Sequence, residues 1–158
     1  MVNFREKMLS FRHLCYKNGY LFAAFLIPVI LMGIAYISFG IYPFGGRSVL
    51  SLDFNAQYVF YFDYVHDVIG NGESLMYSWS RNLSGEFMGI IGYYLASPFN
   101  ILVWIFPRSM ITEGLLTMML AKFGACGVTF ALFAHKSQKL SKTTAALFAP
   151  MYALCAYM

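Results

Sequence analysis

The sequence predicts an all-α integral membrane protein, because it is strongly apolar and because three long stretches of it carry almost no charge. Of its 158 residues, 59% are hydrophobic, 19% are aromatic and only 11% are charged. A soluble domain carries about 25% charged residues, which cover its surface with groups that water solvates. These proportions exclude a soluble enzyme and a disordered chain. The three cysteines predict neither a disulfide framework nor a CxxC metal site.

The first uncharged stretch covers residues 20–42 and predicts a transmembrane helix. It is long enough to cross about 30 Å of hydrocarbon, at about 1.5 Å per residue. Pro28 inside it is tolerated in a membrane helix. The alternative is a cleaved signal peptide, with a shorter apolar core and a cleavage site made of small residues. The segment Ile37–Gly40 is a poor site of that kind, so we expect a retained anchor.

The distribution of charge predicts which parts of the chain face the cytoplasm. Residues 1–19 carry a net charge of +3, the stretch from Tyr42 to Glu86 carries −3, and residues 135–142 carry +3. Short loops that are rich in Lys and Arg stay in the cytoplasm. We therefore expect residues 1–19 and 135–142 to be cytoplasmic. The basic residues cluster at these points, so the net charge of +4 does not predict a nucleic-acid partner.

Two cytoplasmic segments require an even number of crossings between them. We expect transmembrane helices at 20–42 and 111–134, joined by an extracellular loop at 43–110. The uncharged run at 87–107 lies within that loop and is then not a full span. Residues 143–158 predict the start of a further transmembrane helix that is apparently truncated. The chain is expected either to be the N-terminal part of a longer polytopic protein or to receive its missing helices from another chain.

The run at 87–107 has features that favour two short helices over one span. Ser97-Pro98 breaks it near the middle, and glycines at 89 and 92 weaken its first half. We expect interfacial or re-entrant helices there, which need shelter from protein or a water-filled cavity. The alternative is a full span that places residues 135–142 outside the cell.

Residues 52–69 predict an amphipathic helix in the outer loop. At about 100° per residue, the polar side chains fall within about 120° of arc and the aromatic and aliphatic ones lie beside them. Such a helix is expected to lie along the outer membrane interface. Asn71-Gly72 is expected to end it.

Three acidic side chains of this helix each allow more than one interpretation. One interpretation is that Asp63, His66 and Asp67 form a solvated helix face. The other is that these side chains, which lie on one side of the helix, hold a metal ion. The loop has no second cluster of ligands, so no metal site is expected. Asp53, at the start of the helix, is either an N-cap or a carboxylate at the water–lipid boundary, where desolvation would raise its basicity. Its position alone does not separate these two roles.

The acidic stretch from Tyr42 to Glu86 contains two cations, Arg47 and Arg81. An arginine can bind a phosphate through two hydrogen bonds, so each is a candidate contact for a lipid phosphate. Each could instead pair with Glu73 or Glu86, or anchor the loop at the interface. In the third apolar segment, Lys122 is either functional or extends its amine to the membrane surface.

Beyond these patterns, an ordered set of short motifs runs along the chain from about Tyr20. The set comprises Tyr42-Pro43-Phe44-Gly45, Leu52-Asp53 with Gln57-Tyr58, Tyr77-Ser78-Trp79-Ser80, Ser84-Gly85-Glu86-Phe87-Met88-Gly89, Tyr93-Tyr94-Leu95-Ala96-Ser97-Pro98-Phe99-Asn100, Phe106-Pro107, Lys122-Phe123-Gly124 and Tyr152-Ala153-Leu154. It resembles the N-terminal region of the YfhO family of bacterial membrane proteins. Members of that family often have Gly-Gly where this chain has Ser84-Gly85, and they are several times longer.

The resemblance implies a partial fold similar to that of the GT-C glycosyltransferases. Such an enzyme would move a sugar from a polyprenyl-phosphate carrier to a teichoic-acid-type cell-wall polymer on the outer face of the bacterial plasma membrane. GT-C enzymes carry an essential acidic residue soon after the first helix, and Asp53 matches that position. Gln57, Tyr58, Arg47 and Arg81 are then expected to bind the substrate.

The same resemblance implies the partners. They are membrane lipid, the lipid-linked sugar donor, the polymer acceptor and the remaining helices of the full-length protein. No cofactor beyond the donor is implied, and the need for a divalent metal is left open. These residues alone are expected to be inactive. The alternative is a non-catalytic small membrane subunit, or a truncated product, that packs against partner helices.

Overall fold

The computed structural model describes residues 4–79 and 85–155, with side chains from Asn18 onward within those ranges. The chain is 73% helical, which confirms the all-α prediction. It forms two compact units. Unit 1 comprises Met1–Ala35 and Leu120–Met158, and unit 2 comprises Tyr36–Met119.

Two helices are long and apolar enough to cross a membrane. Helix α1 covers Phe4–Ser38, and its candidate span is Asn18–Ser38, 21 residues long. At about 1.5 Å per residue, this length matches the hydrocarbon thickness of a bilayer. The predicted helix at 20–42 extends further than α1 does. The reason is Gly40, whose φ of +63° turns the chain away from the helical path directly after Ser38.

The second candidate span runs over Arg108–Lys136, 29 residues long. It consists of a short 3₁₀ turn, Arg108–Met110, followed by the long helix α5, Ile111–Lys136. Helix α6, Lys142–Ala153, follows after a short loop. Its N-cap is Ser141, whose Oγ accepts a hydrogen bond from the Thr144 amide at 3.1 Å.

Unit 1 is held together by small residues. Alanines at the contacts between its helices are almost completely buried, and the helix backbones therefore approach closely. Gly127 of α5 is the tightest point, because a Cβ built there would lie 2.1 Å from the carbonyl oxygen of Ala24. The alanines of this cluster are Ala24, Ala131, Ala134, Ala145 and Ala149.

Unit 2 begins with a tight turn and a long helical segment. After the turn at 40–47, a π-helical turn at Phe54–Tyr58 continues into helix α2, Val59–Asn71. The predicted amphipathic helix at 52–69 corresponds to these two elements. Gly72 ends α2 in the left-handed conformation, with φ +70°, and its amide donates to the Val68 carbonyl at 3.1 Å.

A two-stranded hairpin and two bent helical segments complete unit 2. Strands β1, Tyr77–Ser78, and β2, Gly85–Glu86, pair antiparallel. Helix α3, Met88–Ile90, continues as a π-helical turn over Ile91–Leu95. A 3₁₀ turn at Pro98–Asn100 then leads into helix α4, Ile101–Ile105.

The bend between Met88–Leu95 and Pro98–Ile105 measures 94°. It falls at Ser97-Pro98, where the sequence predicts the break. Together the two segments are apolar and long enough for one broken span or a re-entrant loop. Whether they cross the membrane stays a prediction.

The apolar core of unit 2 joins its helices to the hairpin. Its largest fully buried side chains are Phe62 of α2, Phe87 beside β2, Leu95, Val103 of α4 and Leu115 of α5. Burying side chains of this size contributes about 1.5–3 kcal/mol each. The core therefore fixes α2 relative to the first turns of α5 and to the two bent segments Met88–Leu95 and Pro98–Ile105, which we call the bent helical pair.

The close approach at Gly127 predicts a specific packing defect. In Gly127→Ala the new methyl group meets a backbone carbonyl that cannot move aside, and we expect a loss of about 1–3 kcal/mol in the free energy of unfolding. Unfolding in mixed detergent micelles would measure it. The matched control is Gly33→Ala in α1, where a Cβ meets nothing within 4 Å. An equal loss in both variants would contradict the packing described for Gly127.

Candidate functional site

A strained turn presents Asp53 at the start of the helical segment that continues into α2. Leu52 has a φ of +49°, a conformation that costs a residue with a Cβ about 1–3 kcal/mol and that occurs preferentially at functional sites. The carbonyls of Ser51 and Leu52 accept the first free amides of the helix at 3.0–3.1 Å. The backbone thus satisfies these amides without help from the Asp53 side chain.

The Asp53 carboxylate is exposed and does not cap the helix. The N-cap interpretation requires a hydrogen bond from a backbone amide to this carboxylate, and the structure has no such bond. Asp53 is therefore accessible from solvent. It lies four residues before Gln57, whose side chain bonds to a tyrosine from a distant part of the sequence.

Tyr94 connects the predicted binding residues to one another. Its hydroxyl donates a hydrogen bond to Oε1 of Gln57 at 3.0 Å. The ring of Tyr58 meets the Tyr94 ring edge-to-face, with 4.9 Å between centroids, and Phe54 stacks on Tyr58 at 4.8 Å. Because Tyr94 occupies the amide oxygen of Gln57, the amide nitrogen keeps two N–H donors for a hydroxyl or phosphate oxygen.

The bend in the helical pair explains how Tyr94 is positioned. In a continuous helix the amide of residue 98 would donate to the Tyr94 carbonyl, but Pro98 has no N–H. Asn100, which is 2% exposed, replaces that donor, since its Nδ2 donates to the Tyr94 carbonyl at 3.3 Å. The proline therefore bends the chain, and a buried amide satisfies the carbonyl that the bend leaves open.

Arg108 binds two carboxylates of α2 at once. Its Nε and one terminal nitrogen donate to Asp63, the latter at 2.5 Å, and its terminal nitrogens donate to Asp67 at 2.6 and 3.3 Å. Asp63 and Asp67 lie one helical turn apart, where two like charges repel each other. The planar guanidinium relieves this repulsion and ties α2 to the turn that begins the second candidate span.

This geometry changes the interpretation of the acidic face. Asp63 and Asp67 are not simply solvated, because both are paired with Arg108 while remaining partly exposed. His66 lies between them, and its Nε2 is buried without a hydrogen-bond partner among the described residues. Within residues 4–79 and 85–155, no group of three or more His, Cys, Asp or Glu side chains has the geometry to hold a metal ion.

The two predicted phosphate-binding arginines differ in what the structure says of them. Arg47 is exposed at the end of the turn at 40–47, where its carbonyl accepts from the Tyr42 amide at 2.7 Å. Among the described residues, no carboxylate forms an ion pair with its side chain. A hydrogen bond to the Glu113 carboxylate raises the pKa of the Tyr42 phenol. Arg81 lies outside the described residues.

Comparison with protein families identifies the family of this chain. The family described as bacterial membrane protein YfhO matches residues 23–158. The chain belongs to the YfhO family. This confirms the resemblance of its motifs and places the protein in a bacterial membrane. No curated protein and no solved structure matches the chain. The likeness to GT-C glycosyltransferases stays a prediction.

Two residues of this YfhO protein were missed by the sequence interpretation. Arg108 is a third cation in the loop predicted at 43–110, but the charge count stopped at Glu86. Tyr94 lies within a matching motif, yet nothing in that motif names Gln57 as its partner. The partners are 37 residues apart for Tyr94 and at least 41 for Arg108. Counting charge to the start of the second span would have singled out Arg108.

The pairing with Arg108 predicts a local effect on α2. In Arg108→Gln the repulsion between Asp63 and Asp67 returns, and we expect faster amide hydrogen exchange in Val59–Asn71. The difference from wild type should shrink in 1 M salt, where the screening length falls to about 3 Å.

Arg47→Gln is the matched control for this experiment. It removes an exposed arginine that has no ion pair among the described residues, so exchange in α2 should stay as in wild type. Unchanged exchange in Arg108→Gln, or an equal change in both variants, would contradict a role for Arg108 in holding α2.

Proposed function

We propose that this YfhO protein is part of a membrane glycosyltransferase that moves a sugar from a polyprenyl-phosphate carrier to a teichoic-acid-type polymer on the outer face of the membrane. In this proposal Asp53 is the general base. The observation that supports it most directly is the setting of Asp53: an accessible carboxylate that caps no helix amide and lies four residues before Gln57, which bonds to Tyr94.

The chemistry assigns a role to the carboxylate. The acceptor hydroxyl attacks the sugar carbon that is bound to the phosphate, its proton passes to Asp53, and the lipid phosphate leaves with the bonding electrons. A base needs a carboxylate oxygen within about 3 Å of that hydroxyl, and an exposed side chain can reach it. A capping bond would compete with the proton for the carboxylate oxygen, so its absence supports the assignment.

Gln57 and Tyr58 are proposed to bind the sugar or its phosphate. Gln57 follows Asp53 by four residues, which puts both side chains on the same side of the helix. The hydroxyl of Tyr94 fixes the amide of Gln57, so its N–H donors are held ready before the substrate arrives. Tyr58 is half-buried with its ring stacked on Phe54, so we propose that it contributes its phenolic hydroxyl as a hydrogen-bonding group.

The negative charge on the leaving phosphate needs a nearby cation. An arginine already paired with carboxylates is a poor candidate, and this distinguishes Arg108 from Arg47. Arg108 is engaged with two carboxylates. Arg47 is exposed on the same unit and can stabilise the negative charge that develops on the phosphate. We propose Arg47 for this role together with Arg81, the other arginine of the acidic stretch from Tyr42 to Glu86.

Leu52 supports a location near lipid. It is 89% exposed although it is apolar, and it lies directly before Asp53 in the strained turn. An exposed leucine beside a catalytic carboxylate suits a site where the substrate itself is a lipid. Contact between the isoprenoid and Leu52 would remove water from Asp53 and raise its basicity.

The catalytic role of Asp53 predicts loss of transfer in Asp53→Asn. In the intact membrane protein we expect the rate of sugar transfer from the polyprenyl-phosphate donor to fall about 10²-fold or more. Insertion into the membrane should stay normal. The measurement is incorporation of labelled sugar into the polymer in inverted or permeabilised membranes.

The control for this variant is Glu73→Gln, which removes an exposed carboxylate of the same loop, after α2 has ended. It should transfer sugar at a near-normal rate. Transfer by Asp53→Asn at the wild-type rate would remove Asp53 from the mechanism, and equal losses in both variants would point to the charge of the loop instead.

The proposal also requires the loop with Asp53 to lie outside the cell. In a variant whose three native cysteines are replaced by serine, Ser137→Cys should resist an impermeant thiol reagent applied to intact cells. Ser51→Cys should react with it. Both serines are exposed, so the comparison reports the side of the membrane. Labelling of Ser137→Cys from outside would reverse the predicted orientation.

A further inference from the structure

The hairpin of unit 2 has one buried face and one exposed face. Side chains alternate along a strand, and Ser78 of β1 points inward with 3% of its surface exposed. Tyr77 and Trp79 point the other way, and their rings meet edge-to-face at 5.0 Å. Trp79 is 82% exposed.

The exposed apolar surface continues before the strand. Leu75 and Met76 are both exposed, so four large side chains in the five residues Leu75–Trp79 face outward, and none of them is charged. We call Leu75–Trp79 the aromatic segment. Contiguous apolar surface of this kind marks a place where another apolar body binds.

Hydrogen bonds hold the aromatic segment in this orientation. The hydroxyl of Tyr64, a buried residue of α2, donates to the Ser74 carbonyl at 3.0 Å and also lies 3.3 Å from the Tyr77 carbonyl. The amide of Phe87 donates to the Met76 carbonyl at 2.9 Å. The exposure of Trp79 is therefore part of the folded arrangement of unit 2.

The connectivity of unit 2 indicates what covers this surface. The unit begins at Tyr36, inside the candidate span Asn18–Ser38, and it includes the first turns of the span Arg108–Lys136. Unit 2 is thus joined to a candidate membrane span at each end. The boundary between lipid and water is therefore the apolar environment nearest to its aromatic segment. Tryptophan and tyrosine concentrate at that boundary, where the ring enters lipid and the N–H or O–H stays hydrogen-bonded.

We propose that the aromatic segment binds the lipid surface, with Trp79 inserted among the headgroups and the upper acyl chains. A carbohydrate is the competing occupant of an exposed aromatic pair. Sugar binding would require polar side chains beside the rings, whereas the exposed neighbours of the rings among the described residues of the segment, Leu75 and Met76, are apolar. Glu86, the cross-strand neighbour of Tyr77, accepts a hydrogen bond from the Gly89 amide at 2.6 Å, which directs its carboxylate to α3.

The chain contains two tryptophans, Trp79 and Trp104, so fluorescence can locate each ring. In Trp104→Phe, reconstituted in phosphatidylcholine vesicles, the emission comes from Trp79 alone. We expect nitroxide groups on the upper acyl chain to quench it more than nitroxides near the terminal methyl. The depth should lie about 15 Å from the bilayer centre, at the edge of the hydrocarbon. Aqueous acrylamide should quench it weakly.

The matched variant is Trp79→Phe, which leaves Trp104, a half-buried residue of α4. The difference between the emission of wild type and of Trp79→Phe gives the Trp79 signal without altering Trp104. It therefore tests the proposal even where Trp104→Phe does not fold. Agreement between the two routes on preferential quenching from the upper acyl chain supports lipid binding.

Three outcomes would overturn the proposal. Strong quenching by acrylamide with none by lipid nitroxides would place Trp79 in water. Protection from both quenchers would mean that protein covers the segment. Protection from acrylamide that appears only when soluble cell-wall polymer is added would identify a carbohydrate surface. None of these readouts depends on sugar transfer, so the result stands whether or not the proposed glycosyltransferase activity does.

Discussion

The bond between Arg108 and the two aspartates of α2 is the constraint on which the arrangement of unit 2 depends. It joins a helix near the start of the loop to the residue that begins the second candidate span. The loop between the two spans is long, and closing it costs conformational entropy. A guanidinium that donates to carboxylates one helical turn apart favours the register of α2 that the apolar core of unit 2 also fixes. Asp53 lies just before this helix, so its position follows from that register.

The two units differ in the side chains that pack their helices together. Unit 1 relies on alanines and on Gly127, which bring helix backbones together where lipid offers no hydrophobic driving force between helices. Unit 2 relies on large buried side chains such as Phe62 and Phe87, together with polar bonds at its edges. A core of that kind is typical of protein that excludes water.

The sequence predicts the parts of the fold that depend on local pattern. Runs without charge mark both candidate spans, Ser97-Pro98 marks the bend, and Asn71-Gly72 marks the end of α2. The sequence does not predict which distant groups meet. Asp63 and Asp67 read as a solvated face because the helix alone cannot show that an arginine about forty residues later returns to it. The role of Tyr94 was not predicted for the same reason. Its hydrogen bond to Gln57 depends on the bend at Pro98 and on the bond from Asn100, which the local sequence does not reveal.

The proposed binding of lipid by the aromatic segment would affect the environment of the exposed Asp53 carboxylate. A carboxylate in water is a weak base, and its basicity rises when water leaves. Asp53 is exposed, so the part of the chain that the structure describes does not itself remove that water. A lipid-linked donor would remove it, because its isoprenoid would cover Leu52 as its phosphate reaches the headgroup level. If the aromatic segment holds unit 2 at that level, the donor need not leave the membrane to reach Asp53. The carboxylate would then be a better base when the donor is bound, and the same removal of water would limit hydrolysis of the donor.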